Sequence, residues 1–543
     1  MRKLHYAILS TFLFLGGCET KESDANRQVF RYNQESDISS LDPAFARDQA
    51  NIWAVNQLFN GLIQLNPQLI PEPSIAKKWE ILDAGRLYRF YLRTDVTFHE
   101  SPLFENPKRR MVTAHDFVYS FSRIIDPQVA SPGAWIFNDK VDSLAPFSAI
   151  NDSVFEIRLK QAFPPFLGIL SMHYCSVVPK EVVSHYGKDF REHPVGTGPF
   201  KFAFWEPQEA LVFHRNESYF EVDSLGHSLP YLDAVHISFL PDKQAAFLAF
   251  KQDKIDFISG IDPSFKDDVL TKEGSLQSKY AKHVVLQKSP YLNTEYLGIL
   301  MEGKSKSNAL RNKLTRQAMN FAIDRKSMMR FLRNNVGTPG TAGFIPPGLP
   351  GFDSSAMNFY AYNPNMAKKL LADAGYNRST SIVLYTTPSY IDLAVFVQKE
   401  LQKVGMNVKI ETSPGPTLRQ LINKSEAEFF RGSWIADYPD AENYLSLFYS
   451  KNFAPNGPNY THFKNRDFDL YFEDALNTTN DKLRIQLYKG MDSIIRQEAP
   501  VVVLFYDQVF RLVNSSLVGL ESNPLNLLDL KRVRKLYKNK IEQ

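Results

Sequence analysis

The sequence predicts an α/β fold, and two observations carry that prediction. The first is a helix–strand–helix–strand series between residues 363 and 411. Asn363 reads as an N-cap, Pro364 takes the first helical position, Leu370, Leu371 and Ala374 form an apolar stripe, and Gly375 ends the helix. Ile382–Tyr385 then reads as a strand, Ile391–Val404 as a helix stopped by Gly405, and Asn407–Glu411 as the next strand. Strand, helix, strand demands a right-handed crossover onto a parallel sheet, and that sheet marks one lobe. The second observation is an amphipathic helix opening at Thr113-Ala114-His115-Asp116. Its threonine and aspartate have capping-box spacing, Phe117, Phe121, Ile124 and Ile125 follow on one face, and Asp126-Pro127 closes it. No 20–50-residue period recurs, which argues against a solenoid or propeller.

Length and composition bound the function. At about 150 residues per unit, 543 residues suggest three or four folding units. Apolar residues make up 44% and charged residues 22%, an ordinary globular balance. The formal charge of +4 falls to +2 when Arg2 and Lys3 are removed, too little and too dispersed for a nucleic-acid partner. Only the run from Lys531 to Lys540 is locally basic, and it reads as a solvated tail or helix face, with membrane contact as the second reading.

The first residues carry the parts of a secretory signal in order: Arg2 and Lys3, then the short apolar stretch Tyr6 to Leu15, then Gly16 and Gly17. A spanning helix needs about 20 apolar residues, so this segment is too short to cross and stay. Leu15-Gly16-Gly17-Cys18 resembles the lipobox of bacterial lipoproteins, in which the cysteine is acylated and becomes the anchored N-terminus; an ordinary signal peptide containing a cysteine is the alternative. Residues 1–17 are therefore expected to be a signal peptide and 18–26 a lipidated tether. The longest apolar run elsewhere, Val501 to Tyr506, has the length of a buried strand. Beyond Cys18 the one remaining cysteine is Cys175, which excludes a disulfide framework and reads as a small core residue.

Short motifs point away from catalysis. Gly298 to Ser305 satisfies G-x-x-x-x-G-K-[ST], but Ile299-Leu300-Met301 reads as the end of a buried strand where a phosphate loop must open into a helix. Gly196-Thr197-Gly198 lacks the third glycine of a dinucleotide fingerprint and reads as a turn-shaping element. There is no G-x-S-x-G elbow, and Leu103 stands where a zinc protease following His99-Glu100 needs its second histidine. The 11 histidines show no ligand spacing, so neither a metal nor a cofactor is expected; the 59 acidic residues leave carboxylate pairs open.

A series of blocks covers most of the remaining chain. Ser39-Ser40-Leu41-Asp42-Pro43-Ala44 and Leu58-Phe59-Asn60-Gly61-Leu62 open it, followed by Pro71 to Trp79, Tyr88 to Arg93 and Val96 to His99. Val112 to Phe117 with Arg123 and Asp126-Pro127, Pro194 to Phe200 with Arg215-Asn216 and Tyr219-Phe220, Ala322-Ile323-Asp324-Arg325 and Trp434-Ile435-Ala436-Asp437-Tyr438-Pro439-Asp440 complete it. In this order the blocks resemble the oligopeptide- and dipeptide-binding lipoproteins of ABC transporters.

That resemblance implies a periplasmic binding protein-like class II fold, with two α/β lobes, an extra domain on lobe I and a hinge of crossing strands. Lobe I is expected at 27–60, 190–290 and 508–543, the extra domain at 61–189, and lobe II at 291–507. The resemblance also assigns roles. Asp437 would receive a peptide's α-ammonium. Arg431 would sit near its carboxylate, with a surface salt bridge as the alternative reading of that residue. Gly432, Ser433 and Trp434 would offer backbone groups to an extended ligand. Arg47, Asp48 and Gln49 would supply contacts from the opposing lobe, and Tyr506 is a candidate wall. Ile422-Asn423 stands where some oligopeptide binders carry an Arg-His pair, and Ile435 replaces a cysteine some relatives use in a disulfide. The implied partners are a peptide and the permease subunits of an ABC importer, for a monomer held by its lipid anchor on the periplasmic side of a bacterial membrane. A nickel complex, haem or a sugar as ligand, or a surface-anchored hydrolase, are the alternatives.

Overall fold

The computed structural model describes residues 27–260, 262, 265–302 and 309–536. The signal segment, Cys18 and its tether, residues 303–305 of the phosphate-loop pattern and the end of the basic run all lie outside the described residues. Among those described, no helix is long and apolar enough to cross a membrane.

An eleven-stranded sheet runs through the molecule in the order Asn407–Thr412, Ser381–Thr386, Phe429–Ile435, Val284–Ile299, Val501–Asn514, Phe257–Ser259, Val29–Asn33, Ala234–Ser238, Ala210–Arg215, Phe200–Glu206; Thr338–Pro339 pairs beside Val501–Asn514. Both ends contain parallel pairs: Ser381–Thr386 with Asn407–Thr412, and Val29–Asn33 with Ala234–Ser238. The parallel pairing at 381–412 is the one the crossover pattern predicted. Its helices are Pro364–Asp373, capped by the Asn363 side chain on Met366 N–H, and Ile391–Lys403.

Two strands of 16 and 14 residues, Val284–Ile299 and Val501–Asn514, link the ends. They pair antiparallel at 284–290 with 508–514 and again at 294–298 with 501–506, with a break in register between Pro290 and Thr294. The break falls at a proline, which has no N–H to give the ladder. Gly298 sits inside this ladder, between Val501 and Phe430, so it opens no phosphate-cradling turn.

Separate cores lie on either side. One gathers Phe30, Tyr32, Trp53 and Phe257 with the four-stranded sheet Ala76–Leu82, Leu87–Leu92, Val154–Arg158, Phe147–Asn151. Helix Ala114–Ile125, with the predicted capping box, lays Phe117 and Phe121 against Phe147 and Phe155 of that sheet. Each such ring contributes roughly 1.5–3 kcal/mol by leaving water. Cys175 is buried in the same core, as its apolar surroundings predicted. Beyond the crossing strands, Leu297, Ile299, Leu384, Val397 and Leu401 anchor another core.

Several motif residues prove to be braces. Arg123 holds Asp42 through two hydrogen bonds of 2.9 and 2.5 Å. Arg325 is fully buried and donates to the carbonyls of Val503 and Asn320. A Cβ on Gly196 would fall 2.0 Å from the Leu58 carbonyl oxygen, and one on Gly198 2.4 Å from the Leu58 carbonyl carbon. The glycine block therefore locks the end of helix Gln49–Leu58 by close backbone approach. Trp53 and Gln57 of that helix donate to the carbonyls of Asn526 and Leu528.

Candidate functional site

A cavity of about 590 Å³ opens where the crossing strands change register. Arg47, Gln49 and Trp53 line it from the start of helix Gln49–Leu58, Trp135 and the run Met172, His173, Tyr174 close the same side, and Ile435, Ala436 and Asp437 face them. Tyr291, from the stretch between the two paired segments, lines it as well. The two sides touch at the rim, where the rings of Trp135 and Tyr438 lie 6.3 Å apart. Gly133 makes room for a wall: a Cβ there would meet the Tyr174 ring at 2.4 Å.

Asp437 follows strand Phe429–Ile435 and is held by Asn443, which accepts from its N–H at 3.3 Å and donates to its carboxylate at 3.4 Å. Asn443 also accepts from Trp434 Nε1 at 2.9 Å, so one buried amide orients both residues. No lysine, arginine or histidine pairs with Asp437 among the described residues. Its side chain is exposed, and partial desolvation by the protein atoms around it raises its carboxyl above the ordinary value, with Asn443 opposing. Burial first, then Asp437 and Asp48, push the Tyr174 phenol up to about 12 against the opposing charge of Arg47. The Tyr174 hydroxyl thus senses charges from both sides of the cavity.

Strand Phe429–Ile435 pairs along one edge with residues 293–299. On its other edge the single pairing is Phe430 with Tyr385. Past Phe430, backbone groups of Arg431 to Ile435 have no strand partner on that edge among the described residues. An extended ligand could extend the sheet there.

Of the expected site residues, Asp437, Arg47 and Gln49 line the cavity together. Asp48 stands beside them, exposed, as a helix N-cap whose side chain makes no capping bond. Gly432, Ser433 and Trp434 occupy the half-open strand opposite Tyr296, Glu295 and Thr294. Arg431 does not line the cavity. Its guanidinium grips Glu295 through Nε and Nη2 at 2.6–3.0 Å and lies 3.4 Å from the Tyr390 ring centroid, an ion pair enclosed within the protein where the alternative reading had a surface salt bridge. Tyr506 needs correcting as a wall. It is buried in the core, where its hydroxyl donates to Gly343 O at 2.6 Å, and it does not line the cavity. Sequence reasoning missed Tyr291, Trp135, His173 and Tyr174. The available signal was a histidine–tyrosine pair interrupting the apolar stretch around Cys175.

Residues 71–456 match the family of bacterial extracellular solute-binding proteins, family 5, in its middle region. The chain belongs to family 5. It is 24% identical over 472 residues to the dipeptide-binding protein of Escherichia coli K12, covering 83% of this chain and 84% of that one. It is 25% identical to haem-binding protein A of Haemophilus influenzae, covering 93% and 92%. The periplasmic binding protein DppA of Helicobacter pylori, solved with the peptide STSA, superposes with a TM-score of 0.75 at 26% identity, covering 93% of this chain and 98% of that one. The family 5 member thus has the two-lobed α/β fold expected from the motif series.

Proposed function

We propose that this family 5 protein captures peptides between its lobes and delivers them to the permease of an ABC importer. The observation that carries the reading is Asp437: an exposed carboxylate with no cationic partner among the described residues, in a cavity that the open-edged strand reaches at its last residue, Ile435. A free peptide brings an ammonium to that carboxylate and a polar backbone to that edge, and such charge-assisted bonds offset the desolvation of closure. Lobe II runs from about 291 to 507, its crossings at the register break; residues 61–189 form the extra domain of lobe I. The protein works as a monomer tethered through acylated Cys18, which keeps it concentrated beside its permease on the periplasmic side.

Calorimetry with free and N-acetylated dipeptides and tripeptides tests the assignment. Acetylation removes the ammonium and is expected to weaken binding at least tenfold. Equal affinity for both forms would remove Asp437 from its role. Labelling with radioactive palmitate tests the tether, and the label must vanish in Cys18→Ser.

A further inference from the structure

The basic run near the C-terminus has no part in the cavity. Its described residues stand where the chain enters the folded body. Lys535 N–H donates to Gln28 Oε1 at 3.1 Å, and Gln28 N–H donates to Asp233 Oδ2 at 2.8 Å. Beside them a loop, residues 222–227, holds out Leu225, 79% exposed, and Val222, 54% exposed. Asp223 pins that loop: its carboxylate accepts from the N–H groups of Leu225 and His227, both at 2.8 Å, and from the Tyr231 hydroxyl at 2.5 Å. The Arg534 guanidinium lies 5.8 Å from the same Tyr231 ring. A lone exposed leucine needs no explanation. A pinned pair of apolar side chains beside the point of attachment does.

We propose that this corner rests on the bilayer that carries the protein, with Val222 and Leu225 entering the headgroup boundary and Arg532 and Arg534 meeting lipid phosphates. This rests on the reading of Cys18 as the acylated end. Residues 18–26 then separate the anchor from Arg27 and span at most about 30 Å. The membrane is thereby confined to the neighbourhood of Arg27, and the contacts above place the loop and Arg534 in that neighbourhood. Net charge does not make the contact. Lys531 is paired with Glu221 at 2.9 Å and Lys535 with Asp256 at 2.7 Å, while Asp223, Asp233 and Asp529 balance the other cations of the corner. What remains is an apolar tip that gains by leaving water, flanked by two exposed arginines. Neither arginine has an ion pair among the described residues, so both are available to phosphate oxygens. So small a surface binds a bilayer weakly by itself; it orients a protein that the acyl chains hold.

Site-directed fluorescence tests this. Cys175 is buried, so a polarity-sensitive fluorophore can be attached at Leu225→Cys alone. The acylated protein is reconstituted in phosphatidylethanolamine–phosphatidylglycerol vesicles containing spin-labelled lipid. The comparison probe is Leu144→Cys, at a side chain 94% exposed in the loop before strand Phe147–Asn151. An interfacial residue sinks roughly 5–10 Å into the headgroup boundary, so quenching at Leu225 is expected to exceed that at Leu144 by about threefold. Adding Arg532→Glu and Arg534→Glu is expected to lower it by about half, since anionic side chains repel lipid phosphates. Peptide affinity should stay at the wild-type value throughout and so report an intact fold, because none of these residues lines the cavity. Quenching at Leu225 no greater than at Leu144 overturns this face and leaves the tether standing. If palmitate labelling finds no acyl group at Cys18, the tether reading fails and this face fails with it.

Discussion

Arg431 and Asp437 lie six residues apart on one strand and the turn after it, and the structure treats them in opposite ways. Arg431 is saturated: two carboxylate oxygens and an aromatic face account for its cation. Asp437 is left with one long amide contact to its carboxylate and no counter-charge among the described residues. A charge that the fold has already satisfied belongs to the architecture. A charge left exposed and unpaired beside a cavity is available to whatever enters it. If this distinction holds, substitutions at the Arg431 cluster change stability, and substitutions at Asp437 change affinity.

The largest effect is expected from Glu295→Gln. It leaves the Arg431 guanidinium, nearly enclosed, with no neutralising carboxylate. Breaking a buried pair costs about 3–5 kcal/mol; the Tyr390 face places this case at the lower end, about 3 kcal/mol. Urea denaturation measures it. Replacing both members by Glu295→Leu with Arg431→Met is expected to recover most of the loss, because packed apolar side chains carry no desolvation penalty. A single variant as stable as wild type would erase the contrast between the two charges.

Asp437→Asn comes next. Losing a charge-assisted bond to the peptide ammonium is expected to cost about 1.5–3 kcal/mol of binding, roughly 10- to 150-fold. The ligand-free protein should melt no earlier than wild type. Burial raises the carboxyl of Asp437, so its contribution to stability is present below the unfolded value and lost as pH rises through the folded one. At neutral pH the ionised side chain therefore opposes folding, and asparagine relieves it. The same shift sets the pH dependence of binding. Peptide affinity is expected to rise as Asp437 ionises, through a range above that of an ordinary aspartate, and then level off. Calorimetry between pH 4 and 8 would show the rise in wild type and its absence in Asp437→Asn; a rise that persists in the variant would assign it to another group.

The fold was legible where local signals agree. Thr113 and Asp116 form a capping box, Asn363 and Pro364 open a helix, and the parallel pair at 381–412 follows from its crossover. The motif singled out Asp437, which lines the cavity. The rest of the cavity was not legible, because its walls come from segments far apart in the chain: Trp135 and Tyr174, on short 3-10 turns, and Tyr291, on a crossing strand, meet Asp437 only in the folded chain. The facing of Tyr506 was not legible for a specific reason. The strand Val501–Asn514 is buried on both faces over its first half, so no polar alternation reports which face meets the cavity.

Tyr506 also supplies the smallest test of the contrast. Its hydroxyl donates to Gly343 O inside the core, so Tyr506→Phe deletes one buried hydrogen bond and leaves that carbonyl without its donor. The expected loss is about 1 kcal/mol of stability. The phenyl ring keeps its edge contact with Phe352, so packing at that face of the core is retained. Affinity for peptide should be unchanged, since the ring does not line the cavity. A residue one turn of reasoning away from the ligand would then behave like Arg431 and unlike Asp437. Weaker peptide binding with unaltered stability would instead mean that the loaded protein rotates this strand toward its ligand, and satisfaction in the unliganded fold would no longer separate architecture from site.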